Sequence, residues 1–283
     1  MAQHRFDLPY FDEILTRMEE APDSELVQAF GTRHVHWGDY ADPVTTDDST
    51  EGLIAAAEAL TARLVGAAGV KDGQRVMDAG CGFGGTIANL NEHFSHMYLI
   101  GLNIDSRQLV HAEKRVIARS NNRVRFVEGD ACAMPFSDES FDRVLAVECI
   151  FHFPSRLRFF REARRVLKQG GRLVLSDFVP HGPSALLLAP WVLQNSPSMG
   201  KFYGRFNFRV PCTAWGYRFL ARLTGFRLFL DQDITLNTLP TYPALLRLFR
   251  NLGLRDAERA TELVAFSARK GWVRYRVLAF EAV

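Results

Sequence analysis

The chain has 283 residues, of which 47% are hydrophobic and 23% charged, and its formal net charge is only +2. This length suits one large α/β domain with a cap or two small domains, and the weak charge argues against nucleic acid as a partner. Residues 1–20 lack the apolar core of a secretory signal, and the longest apolar run, 185–193, is about half of a membrane span. The four cysteines have no paired spacing, which predicts neither disulfides nor a metal site. We therefore expect a cytoplasmic protein without a transmembrane segment.

Helical and strand patterns alternate along the first two thirds of the chain, after an isolated helical pattern at 10–20. The predicted helices are 52–70, 86–94, 106–120 and 155–168, and the predicted strands are 74–80, 97–103, 124–130, 141–149 and 172–179. Continuous runs of Val, Leu and Ile between helices of this length are typical of a parallel, doubly wound sheet that is covered on both faces. A ligand is then expected beyond the carboxyl ends of the strands.

The regular alternation of predicted strands and helices ends after residue 179. Residues 180–211 are rich in Pro, Gly and aromatic residues and are too apolar for a solvated linker, so they are interpreted as a partly helical insertion. Further helices are predicted at 213–224, 242–253 and 256–271, and further strands at 226–235 and 272–282. The predicted fold is α/β, a Rossmann-like, doubly wound and mostly parallel seven-stranded sheet with a helical cap. We divide it into a helical lid segment, 1–51, and a domain, 52–283, with cap insertions at about 180–212 and 240–271.

The stretch 76–85, VMDAGCGFGG, fits two kinds of nucleotide site. Gly80, Gly82 and Gly85 spell G-x-G-x-x-G, which holds the pyrophosphate of NAD at a helix N-terminus. Asp78 in front of them would repel a pyrophosphate, whereas it suits the cationic ammonium and sulfonium groups of S-adenosylmethionine. The second strand ends at Asn103, where an NAD site usually has an acid for the ribose. These two residues favour S-adenosylmethionine.

Four segments in this order resemble the class I S-adenosylmethionine-dependent methyltransferases, in their small-molecule branch that modifies lipids and natural products. The segments are 76–85, 101–109, 127–148 and 159–178, and the resemblance covers about residues 34–179. It implies methyl transfer as the activity and S-adenosylmethionine as the cofactor. The cofactor residues that it implies are Asp78, Gly80, Cys81, Gly82, Asn103, Ile104, Gln108, Asp130, Ala131 and Glu148. Asn103 and Gln108 would share the ribose, and Asp130 with the backbone of Ala131 would meet the adenine.

Methyl transfer from a sulfonium is an in-line displacement, so a base is needed only if the acceptor must lose a proton. The resemblance places residues 147–154 near the methyl group, and His152 and Glu148 are the titratable residues there. His152 would serve as base or orienter, and Glu148 would orient His152, bind the cofactor's ammonium or stabilise a cationic carbon. The structural alternatives are that His152 caps a turn, that Glu148 only neutralises a nearby cation, and that Asp130 only forms a turn.

The segment 34–40, HVHWGDY, is similar to the family's lid, which implies that His36, Trp37 and Tyr40 close the site against water. The alternative is an exposed loop, and the two histidines lack partners for a metal site. Residues 45–50 are interpreted as a loop that ends in a helix N-cap. The aromatic residues after 179, among them Trp191, Tyr203 and Tyr242, favour a small hydrophobic acceptor such as an isoprenoid, polyketide, lipid or aromatic metabolite.

The sequence favours O-methylation over C-methylation because of His152, while C-methylation of an isoprenoid or indole-type carbon is the alternative. An NAD-binding oxidoreductase and a non-catalytic S-adenosylmethionine-binding protein are the alternatives from other classes. A monomer and a homodimer are both compatible with the sequence.

Overall fold

Seven strands form one sheet in the computed structural model, which describes residues 8–182, 197–204 and 212–283. The strands are β1 Arg75–Ala79, β2 Tyr98–Asn103, β3 Arg123–Glu128, β4 Phe141–Val147, β5 Leu167–Pro180, β6 Phe226–Asp233 and β7 Val273–Ala282. Their order is β3-β2-β1-β4-β5-β7-β6, and only β7 runs antiparallel to its neighbours. The predicted mostly parallel, doubly wound sheet is confirmed. The strand order reverses between β1 and β4, the place where such sheets bind ligands.

Ten α-helices lie in the described ranges. They are α1 Pro9–Glu20, α2 Thr50–Ala68, α3 Gly85–His93, α4 Ser106–Arg115, α5 Arg156–Val166, α6 Pro197–Phe202, α7 Ala214–Leu223, α8 Thr235–Thr238, α9 Thr241–Asn251 and α10 Arg255–Arg269. Ser49 caps α2 by accepting a hydrogen bond from the Gly52 amide at 3.0 Å, as the sequence predicted. The prediction of a helix that reaches residue 168 was wrong, because β5 begins directly at Leu167 after α5.

The strands are buried on both faces of the sheet. One apolar cluster includes Met77, Val144 and Leu173, and the other includes Val76 and Leu145. Neighbours on one strand, such as Val76 and Met77, therefore face different clusters. This arrangement accounts for the continuous apolar runs of the sequence, since a strand with one wet face would alternate apolar and polar residues.

The N-terminal segment packs against the late helices. Ile14 of α1 and Phe30 of a π-helical turn, Val27–Gly31, share an apolar cluster with Leu245 and Leu248 of α9. Helices from both ends of the chain thus pack together. The division into a lid, 1–51, and a domain, 52–283, stays a prediction. In the part of the chain that the structure describes, no helix is long and apolar enough to cross a membrane.

Candidate active site

A glycine-rich turn follows β1 and forms one wall of a cleft. Gly80 and Gly82 have φ values of +83° and +54°, which side chains with a Cβ rarely adopt. A Cβ on Gly80 would lie 2.9 Å from the Cys149 sulfur, so the turn can approach β4 closely only because this residue is glycine. The cleft has an open volume of about 1000 Å³, part of it at its mouth.

Gly85, the third glycine of the motif, lies directly against the N-terminal segment of the chain. A Cβ there would lie 2.4 Å from His34 Nδ1 and 2.6 Å from the Arg33 carbonyl oxygen. The N-terminal segment therefore crosses the first turn of α3, where an NAD pyrophosphate would need free backbone amides. This contact speaks against the dinucleotide interpretation.

Asp78 lies at the end of β1 with its carboxyl group buried in the cleft wall. The side chain is 2% exposed, and its Oδ1 has no hydrogen-bond partner among the described residues. Burial raises the pKa of Asp78 to about 7, and a hydrogen bond from Thr86 partly opposes the shift. A buried, unpartnered carboxylate oxygen fits a ligand that brings a cationic hydrogen-bond donor, such as the α-ammonium of S-adenosylmethionine.

The other predicted cofactor residues line the same cleft. The Asn103 amide donates to Gln108 Oε1 at 3.0 Å, so the two residues that were expected to share a ribose are in direct contact. Asp130 Oδ1 accepts a hydrogen bond from the Cys132 amide at 2.7 Å, which is the turn-forming role that the sequence left open. Asp130 also borders the cleft, as do Cys81, Ile104, Ala131 and Glu148.

A second cavity, which we call the apolar cavity, adjoins the cleft and has an open volume of about 1140 Å³. Its wall contains mainly aromatic and aliphatic side chains, including Phe151, Phe178, Phe202 and Phe249. Five residues line both spaces and form the junction between them: Tyr10, Val35, His36, Glu148 and His152. Two adjoining spaces of this kind can hold a nucleoside-like ligand in one and an apolar molecule in the other.

The predicted lid and acceptor residues divide into two groups. His36, Trp37 and Tyr203 line the apolar cavity, whereas Tyr40 and Tyr242 line neither space. Tyr40 exchanges hydrogen bonds with Asn237 through its backbone. Tyr242 is buried beside Trp37, with the two ring centroids 6.0 Å apart. The structure thus places Tyr40 and Tyr242 outside the lining of both spaces, and their roles in the lid and at the acceptor stay predictions. Trp191 lies outside the described residues.

The two histidines of the lid segment are buried and bonded to each other. His36 Nε2 lies 3.1 Å from His34 Nδ1, and His34 Nε2 lies 2.6 Å from a carboxylate oxygen of Glu58. His36 Nδ1 is 2.9 Å from the Trp37 carbonyl oxygen. The exposed-loop alternative is therefore excluded. Burial and the neighbouring His34 lower the pKa of His36 to about 3, so this ring is neutral at the junction.

Glu148 follows β4 in a strained conformation with a φ of +47°. Its Oε2 accepts hydrogen bonds from the Trp37 amide at 3.0 Å and from the Tyr275 hydroxyl at 2.5 Å. Burial raises the pKa of Glu148 to about 8, although both hydrogen bonds lower it. These contacts hold the carboxyl group at the junction, and they connect it to the segment 34–40 and to β7.

His152 ends a short 3₁₀ turn, Ile150–His152, that follows β4. Its Nε2 lies 3.2 Å from the hydroxyl oxygen of Tyr10 in α1. Burial lowers the pKa of His152 to about 3, so the imidazole is neutral near pH 7. A neutral imidazole next to a phenol at the junction can accept a hydrogen bond from a hydroxyl group there.

Comparisons with known proteins agree with this geometry. Residues 77–175 match the family described as a methyltransferase domain. Methyltransferase GfsG of Streptomyces halstedii is 38% identical over 160 residues, which cover 56% of this chain and 56% of that protein. Residues 77–175 therefore carry a methyltransferase domain. The match includes Asp78, the glycine-rich turn, Asp130 and Glu148.

Further relatives define how far the likeness extends. The 27-O-demethylrifamycin SV methyltransferase of Amycolatopsis mediterranei is 37% identical to this chain over 147 residues, which cover 50% of this chain and 53% of the relative. The chain thus spans about half the length of these relatives. A crystal structure of the [4+2]-cyclase SpnF superposes with a TM-score of 0.75 and 19% identity, covering 97% of this chain and 95% of that one. This likeness shows the fold alone.

Two residues of the candidate site were missed at the level of sequence. Tyr10 belongs to a helix that was correctly predicted, and Tyr275 belongs to the predicted last strand, where alternation with Val273 and Val277 indicates burial. Neither pattern reveals which distant residue the hydroxyl contacts. Tyr10 and His152 are 142 residues apart in sequence.

We expect Tyr275→Phe to raise the pKa of Glu148 above its present value of about 8, because the variant removes a hydrogen bond that favours the ionised form. The shift can be measured from the pH dependence of S-adenosylhomocysteine affinity, whose upper inflection should move to higher pH. Tyr98→Phe, at the opposite end of the strands, is the matched control and should leave the inflection in place. An unchanged inflection in Tyr275→Phe would show that the tyrosine only packs the sheet.

Proposed function

We propose that the methyltransferase transfers a methyl group from S-adenosylmethionine to an oxygen of a small apolar acceptor. The observation that carries this proposal is the junction, where Tyr10, Glu148 and His152 lie between a polar cleft and an apolar cavity. A methyl donor in the cleft and an acceptor in the cavity would meet there. The name of the rifamycin relative, an O-methyltransferase of a natural product, supports the same assignment.

The cleft residues fit the cofactor by their chemistry. When bound, S-adenosylmethionine supplies a methyl group activated by its sulfonium. Asp78 would accept a hydrogen bond from the α-ammonium, the Asn103–Gln108 pair would hold the ribose, and Asp130 would accept from the adenine amino group. Gly80 and Gly82 let the backbone of the turn follow the ligand, because their positive φ values disfavour residues with a Cβ. Cys81, Ile104 and Ala131 would supply the surrounding walls.

Transfer to a hydroxyl oxygen leaves one proton to be removed. The acceptor hydroxyl would donate to Tyr10 Oη, while the Tyr10 hydroxyl donates to His152 Nε2. As the oxygen–methyl bond forms, the acceptor proton passes to Tyr10 and the Tyr10 proton passes to His152, which becomes an imidazolium. The walls of the apolar cavity exclude water, and the segment with His36 and Trp37 closes the junction. The protein otherwise contributes alignment.

Transfer to carbon is the second candidate, and Glu148 is the observation that favours it. A buried carboxylate at the junction would stabilise positive charge on an alkene or indole carbon after methylation. The same group would also attract the cationic methyl donor in an oxygen methyltransferase. The identity of the methylated atom therefore distinguishes the two candidates.

The test combines cofactor binding with an acceptor screen on the full chain. Calorimetry should show micromolar binding of S-adenosylhomocysteine and none of NADH. Labelled S-adenosylmethionine is then incubated with 27-O-demethylrifamycin SV, an isoprenoid phenol, and indole as the carbon acceptor. Mass spectrometry and NMR of the product identify the methylated atom. Binding of NADH alone would overturn the cofactor assignment, and a C-methylated product would replace the oxygen mechanism with the carbon one.

A further inference from the structure

The outer face of α7 carries an unusual row of exposed apolar side chains. Trp215, Phe219 and Leu223 follow one another at intervals of four residues and are 73%, 57% and 56% exposed. The rings of Trp215 and Phe219 lie 5.9 Å apart and are tilted by only 9°. We call these three residues the α7 stripe. The opposite face of the helix is buried, so the stripe is not needed to attach α7 to the domain.

Positive charges border the α7 stripe. Arg218 and Arg222 are exposed on the same helix, and Ala214–Leu223 contains no acidic residue. Leu223 also borders a surface cleft that contains Arg161, Arg164 and Arg165 together with Asp138 and Glu139. Within this border Asp231 pairs with Arg218, and Asp138 pairs with Arg165. Arginines still exceed acids around the stripe.

The start of α7 is adjacent to the apolar cavity. Cys212 lines that cavity and lies two residues before the first residue of the helix. The helix that carries the stripe is therefore continuous with the wall of the space in which an apolar acceptor would bind.

We propose that the α7 stripe and its arginines dock the protein on an anionic lipid surface. Trp and Phe side chains insert at the boundary of headgroups and acyl chains, and arginines beside them contact anionic headgroups through their long stems. Attraction by the negative surface adds to apolar burial. A second copy of the chain fits less well, because a symmetric contact of α7 with itself would bring Arg218 and Arg222 against their own copies without an acid on the helix.

The test is flotation of the full chain with vesicles of phosphatidylcholine mixed with phosphatidylglycerol and with vesicles of phosphatidylcholine alone. The partition coefficient should be at least about tenfold higher on the mixed vesicles. Phe219→Ser should lower it about tenfold on the mixed vesicles, and Arg222→Gln about fivefold. Ile117→Ser, which changes an exposed apolar residue at the end of α4, is the control and should bind like the wild type.

Tryptophan fluorescence locates the contact independently. Binding should shift the emission to shorter wavelength, and Trp215→Phe should lose this shift while it still floats with the vesicles. The proposal is overturned if the protein floats with neither vesicle, or if Phe219→Ser floats like the wild type. It is also overturned if light scattering shows a dimer that Phe219→Ser dissociates, since the stripe would then join two copies. Flotation requires neither cofactor nor turnover, so this result is separate from the proposed function.

Discussion

Asp78→Asn should weaken the binding of S-adenosylhomocysteine by at least about 100-fold, because removing one partner of a buried charge pair costs about 3–5 kcal/mol. The variant keeps the shape of the side chain but cannot carry the charge that the ligand's ammonium requires. The wild-type affinity should rise with pH through about 7, where Asp78 ionises. In the variant this rise should disappear, and the change near pH 8 that belongs to Glu148 should remain.

The buried carboxyl group of Asp78 should also make the free energy of unfolding depend on pH when no ligand is bound. The folded-state pKa of Asp78, about 7, lies above the ordinary value of 3.8. Its contribution to the free energy of unfolding is therefore fully present below about pH 4 and is lost as the pH rises through about 7. Between about pH 4 and pH 7, the free energy of unfolding of the wild type should therefore fall as the pH rises, and this dependence should be weaker in Asp78→Asn. Urea titrations measure this dependence, and calorimetry measures the affinity.

Asp72→Asn is the matched control for the affinity measurement, since Asp72 lies in the turn before β1, at the opposite end of the strands. We expect it to bind S-adenosylhomocysteine like the wild type. If Asp78→Asn bound the ligand with unchanged affinity, other residues would have to hold the ammonium. The unpartnered Oδ1 of Asp78 would then not be a ligand-binding atom.

His152→Ala should lower kcat by about 100- to 1000-fold, as expected for the loss of a general base. Affinity for S-adenosylhomocysteine should change by less than about threefold, because the base acts only in the transition state. Tyr10→Phe should lower kcat by about tenfold or more, because it removes the hydroxyl between the acceptor and His152. Since the pKa of His152 is about 3, the imidazole is neutral from pH 5 to 9, and kcat should show no His152 limb in that range.

These rates are measured with the acceptor identified in the screen, at saturating cofactor. His96→Asn, a change remote from both cavities, is the control. A solvent isotope effect on kcat that disappears in Tyr10→Phe would support the proton relay. If His152→Ala kept full kcat while Glu148→Gln lost most of it, the oxygen mechanism would be refuted in favour of methyl transfer to carbon.

The fold was predictable because its signals are local. Each strand is a short apolar run, each helix a periodic one, and the order of the parallel strands follows from right-handed crossovers. The contact between Asn103 and Gln108 was predictable for the same reason, since the two residues lie five positions apart at one strand–helix junction. The predicted end of α5 was wrong because Gly170 and Gly171 are compatible with a helix cap as well as with a strand, and in the structure they lie within β5.

The interior of the site depends on long-range contacts. Trp37 and Tyr275 meet Glu148 from 111 and 127 residues away, and no local pattern specifies such a meeting. Aromatic residues are equally suited to a cavity wall and to the core behind it, which is why Tyr203 lines the cavity while Tyr242 does not. By itself, the sequence determined the sheet, the glycine-rich turn and the residues bordering it, because these depend on neighbouring residues. Only the tertiary structure decided which side chains meet at the junction, because burial and contact depend on how distant segments pack.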